Sequence, residues 1–350
     1  MFSRSFSPLF VIALSVVGMN SAVYTWAAEE TSTLPRSTPE AQHAVPAAID
    51  KFVAEITRSR IGGVHSFMLV RHGQVIAERW WAPYTPESPN PLYSLTKSFV
   101  GTAVGLAIGE GKLSPDDPVL KFFPADAPPQ PDVALQSLTV RELLRMSTGH
   151  VWEKAESLLS DSVPNGFAQQ FLALPFSSKP GEKFRYEPAA SHLLSTIVQK
   201  VTGQTTQDYL QSRLFEPLGI VVSRWDKSPE GATIGSFGLY LRTEDLAKFG
   251  QLYLQKGRWC DRQLLPAAWV EAATSRQIDI YKPGGDADWI QGYGYQFWRC
   301  RYDFYRGDGA RGQLCIVMPR YDAVVVLTAN TKHFKELMEA VWTYLVPAFR

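Results

Sequence analysis

The chain of 350 residues carries 35 Lys and Arg against 34 Asp and Glu, a net charge of +1. That length suits one large domain or two modest ones, and the balanced charge, with no basic stripe or charged tail, argues against nucleic acid as a partner. Three cysteines without a C-x-x-C pair and six scattered histidines give no legible metal site.

In chain order, residues 1–28 read as an export signal: Arg4, an apolar run from Pro8 to Met19, then small residues before Glu29. The run is shorter than the ~20 residues a membrane span needs. Cleavage after Ala27 or Ala28 is expected, which gives a periplasmic or secreted protein with no stable membrane anchor; an uncleaved anchor is the alternative. Residues 29–44 are polar and read as a loose linker, and 45–350 as the folded domain. Ile49, Phe52, Val53 and Ile56 recur at helical spacing, so Ala47–Arg60 is predicted to be an amphipathic helix. Val64–Arg71 and Gln74–Trp81 flank His72-Gly73 and predict a β-hairpin. A proline-rich loop follows.

The stretch Leu92–Lys112 opens on Ser94-Leu95-Thr96-Lys97 and then runs almost wholly apolar or small to Glu110. Residues three apart on a helix share a face, and a helix apolar nearly all round belongs in a core. Ser94 and Lys97 in the first turn of such a helix have a chemical use. The helix start offers free N–H groups to a developing oxyanion, and a desolvated lysine can take the serine proton. The plain alternative is a capping serine followed by a solvated lysine.

Residues 115–285, roughly, are mostly helical or irregular. A short capped helix is predicted at Leu138–Met146, a brief extended piece at Phe184–Tyr186, and helices at Ser191–Val201 and after Thr205 and Thr243. Gly292–Arg301, Gly312–Met318 and Asp322–Ala329 then predict an antiparallel meander, and Thr331–Leu345 a closing helix. With strand pairs at both ends, the predicted fold is α/β (α+β): one antiparallel sheet built from the N-terminal hairpin and the C-terminal meander, flanked by helices, with a helical insert. If the meander turns at Gly307-Asp308, Cys300 and Cys315 stand opposite each other. They would then form a disulfide in an oxidising compartment, or remain two buried thiols.

Several stretches together resemble the penicillin-recognising serine hydrolases: class C β-lactamases, D-Ala-D-Ala carboxypeptidases, family VIII esterases and 6-aminohexanoate-dimer hydrolases. They are Tyr93–Phe99, Gly109–Pro118, Leu138–Leu144 with Ser147-Thr148-Gly149, Pro180–Tyr186 and Leu239–Leu246. The resemblance covers roughly residues 45–345. It implies a β-lactamase-like fold, no cofactor, Ser94 as acylated nucleophile, Lys97 as its proton acceptor and Tyr186 as a proton relay. Beside a lysine cation a phenolate is favoured, so both groups are expected to be tuned toward neutral pH.

Two departures stand out. The family's Tyr-x-Asn reads Tyr186-Glu187-Pro188 here, with Ser191 or His192 as substitutes for the missing Asn or as structural residues. The Lys/His-Thr/Ser-Gly box, which in the family helps hold a substrate carboxylate, is absent; its place is assigned near Asp308-Gly309-Ala310. The Ala310 and Ser94 N–H groups would then form an oxyanion hole, each donor worth ~3 kcal/mol of barrier. Gly309, Arg306 and Arg311 are candidate substrate contacts, an arginine supplying the missing charge. The departures favour an esterase or an amidase/carboxypeptidase acting on small esters or amides, with weak or no β-lactamase activity. A degenerate ligand binder on the same fold is the alternative. Other serine hydrolases are disfavoured, since no G-x-S-x-G elbow occurs.

Overall fold

Val64–Arg71 alternates Phe67 and Leu69 with Met68 and Val70, and both sets are buried. A strand apolar on both faces needs cover on both, and that requirement shapes the molecule. The structure is a computed structural model that describes Met1 and residues 33–58, 61–159, 163–281 and 284–349. Six strands form its main sheet: β1 Val64–Arg71, β2 Gln74–Trp80, β3 Trp298–Arg299, β4 Tyr305–Gly309, β5 Gln313–Met318 and β6 Ala323–Ala329. They pair antiparallel in the order β2-β1-β6-β5-β4-β3, so hairpin and meander share one sheet.

Six helices cover this sheet or frame the mouth of the buried serine helix: α1 Pro46–Thr57, α2 Thr96–Gly109, α3 Val140–Leu144, α4 Pro188–Thr202, α5 Thr243–Leu254 and α6 Phe334–Ala340. Phe67, Leu69, Ile316, Val325 and Leu327 pack with α1, α6 and the C-terminal turns. The alternate set, Met68, Val70, Val317, Val324 and Val326, packs with α2, α5 and the helical region. Each face follows the two-residue period of a strand. A second, three-stranded sheet joins Asn90–Pro91, Leu239–Leu241 and Arg224–Trp225, and ties the start of α2 to the segment before α5.

Several expectations need correction. The meander turns at 310–312, not at Gly307-Asp308, so Cys315 faces Gly307. Cys300 lies before β4, and all three cysteines are free. Only Trp298–Arg299 of the segment 292–301 is strand, and Phe184–Tyr186 is irregular. The closing helix is α6 followed by a π-type turn, Val341–Leu345. Residues 33–44 are no loose linker. Leu34 is buried, Arg36 bridges to Val75, and its guanidinium pairs with Glu78 and Glu244, which pins the segment beside β2. The export signal falls within 2–32, outside the described residues. Among the described residues no helix is long and apolar enough to cross a membrane.

Candidate active site

Ser94 sits in a single 3-10 turn, Tyr93–Leu95, that leads into α2. Tyr93 takes the left-handed conformation (φ 46), a strained choice for a residue with a side chain, and reverses the chain just before Ser94. The turn is held from outside: Leu92 N–H donates to the Leu239 carbonyl (2.8 Å), and Leu239 N–H donates to Thr96 Oγ1 (3.3 Å). Thus the small sheet aims the serine.

Lys97 is buried one turn on, its Nζ 3.0 Å from Ser94 Oγ and 2.7 Å from the Ser236 carbonyl oxygen. Burial lowers its pKa from the usual 10.5 to about 7, against the Asp308 carboxylate, which raises it. A neutral amine can donate to Ser236 and present its lone pair to the Ser94 hydroxyl. Tyr186 closes the group, with Lys97 Nζ 5.1 Å from its ring centre. Its phenol is shifted upward by burial and by Asp308, against a hydrogen bond with Ser94. The expected phenolate is therefore overturned. Burial and the nearby carboxylate keep Tyr186 protonated, and the tuned group is Lys97 alone.

β4 passes directly over this turn. A Cβ on Gly309 would stand 2.1 Å from the Leu92 carbonyl oxygen, so only glycine allows the approach. Ala310 follows at the wall of a cavity of about 660 Å³ that also exposes Ser94, Tyr186, Asp308 and Arg311. Trp289, Trp298 and Phe334 complete its aromatic side. The Trp289 and Trp298 rings meet edge to face at 4.7 Å, and Tyr186 stacks on Trp298 at 5.6 Å.

The other candidates separate. Arg311 is exposed on the cavity rim. Arg306 is fully buried behind the aromatic wall, 4.8 Å from the Trp289 ring centre; its Nε donates to Asp308 Oδ2 (2.8 Å) and its Nη1 to the Asp288 carbonyl (3.0 Å). It therefore cannot clamp a substrate carboxylate as the sequence suggested. His192 lies off the cavity, where its Nδ1 accepts from Gly235 N–H (3.2 Å) and burial lowers its pKa to about 4. Ser191 donates to Gln296 Oε1 (2.7 Å). Both bond within the fold, and neither lines the cavity.

Sequence reasoning missed three supports and the burial of a fourth residue. Asp308, in the stretch assigned to the family box, is buried and lines the cavity. The Ser236 carbonyl orients Lys97. Gln296 ties three helices together: its backbone carbonyl accepts from Ser98 of α2, its side chain accepts from Ser191 of α4, and its amide donates to the Leu144 carbonyl of α3. Glu187, buried beside Tyr186, accepts from Thr148 and pairs with His150 Nδ1 at 3.1 Å. The only signal for these was a polar residue inside a stretch of small or apolar ones.

A two-sided antiparallel sheet with Ser-x-x-Lys at the mouth of a buried helix defines the β-lactamase-like serine hydrolases. The chain belongs to the Beta-lactamase family, whose model matches residues 47–348. It is 26% identical over 303 residues to the 6-aminohexanoate-dimer hydrolase of Paenarthrobacter ureafaciens, covering 79% of this chain and 76% of that one. An uncharacterized protein, BpOF4_21049 of Alkalihalophilus pseudofirmus, is 24% identical over 243 residues; the match spans 61% of this chain and 65% of that relative's length. Among solved structures, the octameric penicillin-binding protein homologue from Pyrococcus abyssi superposes with a TM-score of 0.67 at 21% identity, covering 87% of this chain and 78% of that one.

Proposed function

We propose that the protein is a serine hydrolase that works through an acyl-enzyme on Ser94. Its substrates are small esters or amides, and its β-lactamase activity is weak or nil. The observation that carries the reading is the buried Lys97 amine, 3.0 Å from Ser94 Oγ, with its pKa lowered to about 7. A neutral lysine takes the Ser94 proton as Oγ attacks the carbonyl carbon. The oxyanion forms against the N–H groups of Ser94 and Ala310. The bond to the leaving group breaks as Lys97, through the protonated Tyr186, returns a proton to it. Water then attacks the acyl-enzyme, and the same groups reverse their roles. The 6-aminohexanoate-dimer hydrolase among the relatives supports hydrolysis of a small substrate.

Export of the mature chain to the periplasm or medium is part of this proposal, and it rests on residues 1–28. A second reading, a ligand binder without turnover, is favoured by Pro188 in place of the Tyr-motif asparagine. Intact-mass measurement after mixing with a short-chain p-nitrophenyl ester, beside Ser94→Ala, decides between them. A transient acyl adduct with nitrophenol release, absent in the variant, supports the hydrolase. No adduct and no turnover, with a penicillin as well, leaves the binder.

A further inference from the structure

Asp308 occupies the stretch where the family box would present hydrogen-bond donors, and its chemistry is the reverse. It lines the cavity together with Ser94, Tyr186 and Ala310, one residue before the glycine that touches the nucleophile turn. Its side chain is 7% exposed, enough to meet a substrate and too little to be screened as a surface charge is. Arg306 Nε holds one oxygen at 2.8 Å. Arg306 itself is fully buried and does not line the cavity, so the substrate meets the carboxylate and not the guanidinium.

Burial pushes the Asp308 carboxyl upward, against Arg306 and Lys97, which pull it down; paired with the Arg306 guanidinium at 2.8 Å it acts as a carboxylate, which only accepts hydrogen bonds. A substrate carboxylate at this point would bring two acceptors of like charge together. A substrate N–H or ammonium would fill the remaining acceptor positions of Asp308. Arg311 and Lys332 also line the cavity, but both are exposed and their charge is screened by salt. Specificity built on a repulsive element needs such a fixed, desolvated group.

From this geometry we infer that Asp308 is a specificity-determining residue. It admits substrates that carry a hydrogen-bond donor near the scissile bond and rejects those that carry a carboxylate there. The inference rests on the acyl-enzyme reading of Ser94 and deepens it.

The test uses two acetyl esters of matched shape, 3-acetoxybenzamide and 3-acetoxybenzoate, with the full-length mature protein. For turnover that Ser94→Ala abolishes, kcat/KM for the amide is expected to exceed that for the carboxylate about tenfold or more at low salt. In Asp308→Asn that ratio falls to about threefold or less. A wild-type ratio near one or favouring the carboxylate overturns the inference, as does a ratio that survives in Asp308→Asn. Because that variant leaves Arg306 buried without its partner, the double variant Arg306→Gln/Asp308→Asn is measured beside it. If neither variant folds, the wild-type ratio decides alone: a preference for the amide that persists at 0.5 M salt supports the inference, and one that vanishes at 0.5 M salt overturns it. Absence of any Ser94-dependent turnover of p-nitrophenyl acetate is a different result, since it removes the hydrolase reading itself.

Discussion

The Lys97 amine donates to the carbonyl oxygen of Ser236, 139 residues further along the chain, at 2.7 Å. This contact fixes which way the lysine points and leaves its lone pair for Ser94. It also ties the proposed acid-base chemistry to the packing of the segment between α4 and α5, far from the Ser-x-x-Lys motif in sequence.

Activity should follow the neutral form of Lys97. With its pKa lowered to about 7 by burial, kcat/KM for an uncharged ester rises with pH through about 7 and then levels off. Tyr186 is shifted upward, so it adds no falling limb below its usual range. Lys97→Ala should lower kcat by roughly 10³-fold. A pH–rate profile flat from 5 to 9 would contradict this assignment.

The same burial makes Lys97 a stability liability, with a defined sign. Its pKa is lower folded than unfolded, so the unfolded chain binds more protons between about 7 and 10.5. The penalty is full below pH 7, shrinks as pH rises, and is gone above 10.5. Lys97→Met should therefore raise Tm at pH 7, by roughly 3 °C, while lowering kcat as Lys97→Ala does. At pH 10 the gain should be much smaller, which thermal melts at the two pH values will read.

Gly309→Ala tests the close passage of β4 over the Ser94 turn. The added methyl would sit 2.1 Å from Leu92 O, so backbone must move. Overpacking of this kind costs about 1–3 kcal/mol, and displacement of Ala310 from the proposed oxyanion position should cost turnover about 10²-fold. Chemical denaturation and kcat report the two effects separately.

Glu187→Ala should be costly although Glu187 never reaches the cavity. It leaves Thr148 and His150 Nδ1 without their buried partner, a loss of about 3 kcal/mol. The N-terminus of α4 and Tyr186 then lose their anchor, so kcat falls more than KM rises. Urea denaturation with an unchanged m-value, and the kcat-to-KM split, check this.

Cysteine chemistry gives an independent check of the meander register. Cys260 is exposed, whereas Cys300 and Cys315 are buried and unpaired. A thiol reagent should therefore label one cysteine in the native protein and all three after unfolding. A single labelled thiol after unfolding without reductant would mean a disulfide and a different register.

Local rules made much of this protein legible in its sequence. The alternation of Val64–Arg71, the turn at His72-Gly73 and the apolar run after Lys97 each depend on neighbours a few residues apart, and each appears where expected. Ser94, Lys97 and Tyr186 were visible as residue types in a pattern, and Gly309-Ala310 as a stretch that had to lie near them. What the pattern could not give was charge state and aim, because both depend on groups brought together over long loops. Burial and Asp308 decide that Lys97 is tuned and Tyr186 is not. Arg306 looked like a clamp until the fold turned it behind Trp289 and onto Asp308. The meander slipped because a left-handed Arg311 and Gly312 can turn a hairpin as readily as Gly307-Asp308 can. Only packing against the Ser94 turn chose between the two.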